Sequence, residues 1–251
     1  MSACLAITVD VDGEAGLPGG GAGYEHRLSS RSERLYGIRR GLPRILALLA
    51  RAQAPATFFV PGVTAERHPD AIAAIREAGH ELGLHGHTHR RLDEMTAAEQ
   101  GADLERGLEA LRRSAGVDPA GYRAPAWEMT PKTLRLLGQS GFRYDSSLME
   151  DDRPYRLDGD GVGLVELPVH WSLDDAPYFS ACGDAEAPLR AWSAELSGAA
   201  REERPLIVTL HPEILGRHHR LAILERLLEQ ADAMQLPAKP LARIAAEYAD
   251  A

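Results

Sequence analysis

The sequence predicts an α/β fold, a distorted (β/α) barrel of about seven parallel strands. Three observations lead there. Short apolar, β-branched runs alternate with amphipathic stretches roughly seven times, which is the pattern of parallel strands joined by crossover helices. No G-x-G-x-x-G follows any strand-like run, so the signature of an open dinucleotide-binding sheet is missing. Titratable residues stand just after several of the runs, and in a barrel ligands gather at that end of the strands. The 251 residues are read as one catalytic domain, 1–251.

Residues 5–9 are apolar and β-branched, a buried strand ending in Asp10-Val11-Asp12-Gly13. Side chains alternate along a strand, so Asp10 and Asp12 emerge on one side, where two carboxylates repel unless a cation sits beside them. Residues 17–23 are glycine-rich and read as a flexible loop, a candidate lid. The pattern turns helical from Tyr36, with Pro43 in a first turn. Residues 56–60 form a second strand, 69–78 a helix stopped by Gly79, and 81–84 a third strand. Thr96 and Glu99 make a capping box for a helix running to residue 115, with Gly116 as its stop. Residues 121–125 are a short strand, 131–140 a helix opened by Thr130, 142–147 a fifth strand and 162–167 a sixth. An irregular stretch reaches about Pro188. Residues 206–210 are the seventh strand, ending in His211-Pro212; helices follow at 221–234 and 241–248, with a short last strand at 235–238 between them.

Bulk properties narrow the function. The formal net charge is −9 and the basic residues are scattered, which argues against nucleic-acid binding. No apolar run approaches the ~20 residues of a membrane helix. The N-terminus carries Asp10 and lacks a basic signal region, so a cytoplasmic location is expected. Two cysteines, Cys4 and Cys182, imply no disulfide framework.

The chemistry concentrates in Gly83-Leu84-His85-Gly86-His87-Thr88-His89. Neutral imidazole is the commonest ligand for a borderline-soft divalent metal. His85 and His89 are spaced H-x3-H, which on a helical turn aims both rings to one side. Arg123 follows the fourth strand and His211 the seventh, so five such residues, with Asp10, Asp12 and His85, gather at one rim. Trp127, Trp171, Tyr178 and Phe179 either line the pocket or belong to the core.

Val-Asp-Val-Asp-Gly-Glu from Val9, His85 to His89, Arg123-Ala-Pro-Ala-Trp127, Trp171-Ser-Leu-Asp174 and Thr209-Leu-His-Pro212, in that order, resemble the polysaccharide deacetylase superfamily, carbohydrate esterase family four. The texture around Tyr144, Asp175 and Glu213 is similar to the branch with peptidoglycan-deacetylase-like proteins, allantoinases of this fold and cyclic-imide hydrolases. The resemblance implies a distorted seven-stranded barrel and hydrolysis of a non-peptide C–N bond with one divalent metal, usually zinc. It implies Asp12, His85 and His89 as ligands and Asp10 as the general base that takes a proton from the attacking water. His211 would be the acid or would stabilise the oxyanion, Asp174 rather than the adjacent Asp175 its hydrogen-bonded partner, and Arg123 the residue holding Asp10 ionised. Two departures stand out: Val11 separates the paired aspartates, and His87 lies between the ligands, read as pointing away or lining the pocket, with replacement of a ligand as the alternative. The substrate is a small-molecule or oligosaccharide amide, most simply an N-acetylated sugar; ring opening of a cyclic ureide or imide is the alternative, and an inactive binding member the second. A homodimer or homotetramer is the assembly the branch implies.

Overall fold

The computed structural model describes residues 2–17, 21, 23–159, 162–181, 184 and 186–249. The strands are β1 (Cys4–Asp10), β2 (Thr57–Val60), β3 (Glu81–Leu84), β4 (Gly121–Tyr122), β5 (Tyr144–Asp145), β6 (Tyr155–Leu157), β7 (Leu164–Glu166) and β8 (Pro205–Leu210). They form one sheet in the order β6-β7-β5-β4-β3-β2-β1-β8. Every neighbouring pair is parallel except β6–β7. The chain beyond β7 reaches the free edge of β8 through a parallel bridge between Asp174 and Thr209. The sheet therefore curls into a distorted, partly closed barrel, as expected from the alternation of elements.

The helices are α1 (Leu28–Tyr36), α2 (Leu42–Arg51), α3 (Gly62–Arg67), α4 (Pro69–Glu77), α5 (Ala97–Ala115), α6 (Pro131–Gln139), α7 (Asp175–Ala181), α8 (Ala187–Glu202), α9 (Pro212–Leu215), α10 (His218–Ala233) and α11 (Leu241–Ala249). The capping box at Thr96 and Glu99 and the left-handed Gly116 bound α5. No helix among the described residues is long and apolar enough to cross a membrane.

Strand β1 shows how the period-two pattern builds two cores. Leu5, Ile7 and Val9 face the main core beneath the helices. Cys4 and Ala6 face a smaller cluster that also holds Phe59, Tyr144, Val165, Ile207 and Ile244. Thr8 and Asp10 continue that inner row by alternation, which delivers a carboxylate to the barrel's C-terminal mouth. At the opposite mouth α11 is docked by Glu81. Its Oε2 accepts from the Ala242 N–H (2.9 Å) and Thr57 Oγ1 (2.7 Å), and its Oε1 from the Tyr144 hydroxyl (2.8 Å).

Several elements differ from expectation. Strand β6 pairs antiparallel with β7, which gives eight strands among the described residues where about seven were expected, because a local hairpin adds an edge strand that the β-α alternation does not count. Helix α8 occupies a stretch with no strong punctuation beyond Pro188. The helix starting near Tyr36 begins at Leu28, and a π-helical turn at Gly37–Gly41 joins it to α2, where Pro43 stands in the first turn as expected. The last short strand reduces to one parallel bridge between Leu5 and Ala238. The candidate lid at 17–23 and Cys182 fall largely or wholly outside the described residues.

Candidate active site

Parallel strands place their C-terminal ends on one side, so β1, β3, β4 and β8 bring Asp10, Asp12, His85, His89, Arg123 and His211 together. Asp10, Asp12 and His85 are all buried, and Arg123 is wholly so. His85 Nε2 lies 3.8 Å from Asp10 Oδ2 and 3.7 Å from Asp12 Oδ1. His89 Nε2 lies 3.4 Å from Asp12 Oδ2, and His211 Nε2 lies 3.9 Å from the same oxygen. One ligand atom each from Asp12, His85 and His89 falls within 4.8 Å of the others.

The donor chemistry fits a cation. His85 Nδ1 is 2.7 Å from the Arg123 carbonyl, which only accepts, so Nδ1 carries the proton and Nε2 offers a lone pair to the site. Burial drives the His89 ring down to about 4, against the pull of Asp12, so it is neutral at physiological pH. Asp12 Oδ1 is buried without a hydrogen-bond partner. Burial alone would raise the Asp12 carboxyl; His89, His211, His85 and Arg34 outweigh it and hold the group well below the usual carboxylate range. A carboxylate with one orphaned oxygen, set beside the Nε2 atoms of His85 and His89, is a donor set for a divalent metal.

H-x3-H does not work here as a helical turn. Residues 85–91 are irregular, and the rings converge because Gly86 (φ 66°) and His89 (φ 57°) turn the loop back through left-handed backbone. His87 points elsewhere, its Nε2 3.4 Å from Glu66 Oε1. It lies outside the metal-ligating groups found among the described residues.

Arg123 is the hub of the barrel interior. Its Nη1 donates to Asp10 Oδ1 (2.9 Å) and Thr8 Oγ1 (2.9 Å), its Nε to the Ser146 carbonyl (3.0 Å) and its Nη2 to Ser146 Oγ (3.0 Å). The guanidinium also lies 4.3 Å from the Phe59 ring centroid.

The expected partner of His211 is corrected. Its Nδ1–H donates to Asp175 Oδ1 (2.7 Å) and its backbone N–H to Asp175 Oδ2 (3.0 Å). Asp174 Oδ1 lies 3.5 Å from the same Nδ1 and instead accepts the Ala176 N–H (2.8 Å), capping α7. A side chain that caps the helix cannot also turn fully to the imidazole, so the adjacent carboxylate takes that bond. Burial pushes Asp174 up to about 7, with His211 pulling the other way. Burial would lower His211, yet Asp174, Asp175 and Asp12 raise it well above its ordinary value.

Two further groups stand at the mouth, neither of them expected there from the sequence. Arg34 of α1 is ion-paired to Glu213 of α9 and lies 3.9 Å from Asp12 Oδ2. Burial raises the Glu213 carboxyl, with Arg34 opposing. The available signal was Glu213 two residues beyond His211; Arg34 sits in no motif. At the rim, Trp127 is buried and stacks on half-exposed Trp171 (4.4 Å, 29°), and Ala126 and Trp127 both adopt φ 53°. Tyr178 and Phe179 pack on Trp192 and Arg220.

Residues 36–144 match the polysaccharide deacetylase family profile. The chain is 30% identical over 260 residues to the peptidoglycan deacetylase of Helicobacter pylori, covering 90% of this chain and 88% of that protein. Among solved structures, a polysaccharide deacetylase homologue from Mycobacterium smegmatis superposes with a TM-score of 0.92 at 40% identity, over 98% of this chain and 90% of that one. The allantoinase PuuE superposes with a TM-score of 0.87 at 25% identity, again over 98% of this chain and 90% of that one.

Proposed function

The chain belongs to the polysaccharide deacetylase family of hydrolases, and from that we propose that it removes the acetyl group of an N-acetylated sugar or related N-acyl compound with one divalent metal ion, zinc by its donor set. The observation that carries the metal is the unpartnered Asp12 Oδ1 beside the inward lone pair of His85. Asp12, His85 and His89 would hold the ion. When bound, it polarises the scissile carbonyl and acidifies a water.

The remaining work falls to this chain's own groups. Arg123 keeps Asp10 oriented, so Asp10 takes the proton of the attacking water as its oxygen joins the acyl carbon. Asp175 holds Nδ1 of His211, leaving the Nε2–H turned to the site. His211 donates that proton to the nitrogen as the C–N bond breaks.

The likeness to an allantoinase over nearly the whole chain, together with the burial of Asp10, Asp12 and His85, favours one second reading: ring opening of a small cyclic amide. Zinc-loaded protein assayed on an N-acetylated amino sugar, its short oligomers and a cyclic ureide separates them. Acetate release supports the first reading and ring opening the second. Metal-replete protein that turns over none of the panel would overturn both.

A further inference from the structure

Two of the three proposed metal ligands lie on a loop that has no regular structure of its own. Its backbone is left-handed at Gly86 and again at His89, a conformation that persists in a non-glycine residue only when its surroundings enforce it. The His89 ring meets Asp12 (3.4 Å) and the His85 ring (4.9 Å between centroids), so its place depends on the backbone that carries it.

One face of α5 supplies that enforcement. Asp103, buried at 8% exposure, accepts the His87 N–H on Oδ2 (2.6 Å) and the Thr88 N–H (3.1 Å) and hydroxyl (2.8 Å) on Oδ1. One turn earlier, Gln100 Nε2 donates to the carbonyls of Leu92 (2.9 Å) and Met95 (3.1 Å), fixing the far end of the segment. One turn later, Gly107 lets the loop approach, since a Cβ there would stand 3.1 Å from the Gly86 carbonyl oxygen and 2.9 Å from Leu84 Cδ1. Positions 100, 103 and 107 share a helical face. On the other flank the Gly62 and Val63 N–H groups donate to the carbonyls of Gly86 and His87, both at 2.9 Å.

We propose that Asp103 is a positioning residue that sets the metal affinity of the site, by clamping His87 and Thr88 so that His85 and His89 present their nitrogens together. The inference rests on the metal reading above. Asp103 makes no contact with the ligand atoms themselves; it acts on the backbone between them.

The test is zinc titration of chelator-stripped protein against a competing chromophoric chelator, with thermal melts of the metal-free forms alongside. Asp103→Ala should weaken zinc binding by about 10–100-fold, the range for lost outer-shell partners. Asp103→Asn, which keeps one accepting oxygen, should fall between Asp103→Ala and the unaltered chain. Thr88→Val, which removes one of the bonds, should weaken binding a few-fold and serves if Asp103→Ala does not fold. Folded variants that bind zinc as tightly as the unaltered chain, including variants with only a lowered metal-free melting temperature, would overturn this inference alone. An unaltered chain that binds no zinc would overturn the metal reading and this inference with it.

Discussion

Asp10 and Asp12 leave one strand end two residues apart, yet their surroundings differ. Asp10 is paired with Arg123 at 2.9 Å, whereas Asp12 faces three imidazoles. Hence Asp10→Asn should keep one zinc per chain by elemental analysis and lose roughly 10²–10⁴-fold in kcat. Loss of the ion from that variant would show the two roles exchanged. His211 carries the second prediction. Its attraction to Asp174 and Asp175 overcomes burial and keeps it protonated above the ordinary imidazole range. An acid must hold its proton, so activity should fall as pH rises through that raised value. Asp175→Asn removes part of the attraction, so the alkaline limb of kcat/KM should move to lower pH; an unmoved limb would remove Asp175 from this role.

At the scale of elements, β5 and β7 present Asp145 and Glu166 as register partners, both wholly buried. Glu166 Oε1 accepts the N–H groups of Ser147 and Leu148, each at 3.0 Å. Asp145 Oδ1 accepts from Ser147 Oγ, which itself accepts the Ala124 N–H beside Arg123. Burial first, then the neighbouring Glu166, raises Asp145 well above 3.8. The sign follows. Above about pH 4 the unfolded chain releases this proton while the folded chain retains it, so stability falls with rising pH until the folded value is reached. Asn does not titrate and its amide can donate to Glu166. Asp145→Asn should therefore gain stability over the unaltered chain as pH rises from 4, by at most ~1.4 kcal/mol per pH unit. Denaturant melts between pH 4 and 9 measure the gap, and a gap that stays flat or narrows would show that folding does not raise the Asp145 carboxyl.

The whole molecule brings distant segments to one mouth. Thr8 and Val208, 200 residues apart, share a hydrogen bond on adjacent parallel strands. A cation joining β1 and β3 ends should tighten that assembly. At about 100 times its dissociation constant, zinc should add about 2.7 kcal/mol, or roughly 5–10 °C in Tm for a chain of this size. Chelation should abolish hydrolysis and reverse that gain, and zinc should restore both. Equal melting curves with and without chelator would argue against a bound structural contribution.

Residue order alone determined much of this protein. Short continuous apolar, β-branched runs alternating with helical stretches dictate a parallel sheet, and a parallel sheet forces Asp10, Asp12, His85, Arg123 and His211 to one rim, because all its strand ends point the same way. What spacing could not settle are choices between nearly equal local options. Either Asp174 or Asp175 could reach His211, and the capping demand of α7 decided it. H-x3-H suits a helical turn, but Asp103 and the tight approach at Gly107 hold it as a left-handed loop. Arg34 and Glu213 meet only because α1 packs on α9. Such outcomes depend on which groups the folded chain brings within hydrogen-bonding distance, and a one-dimensional pattern does not contain those distances.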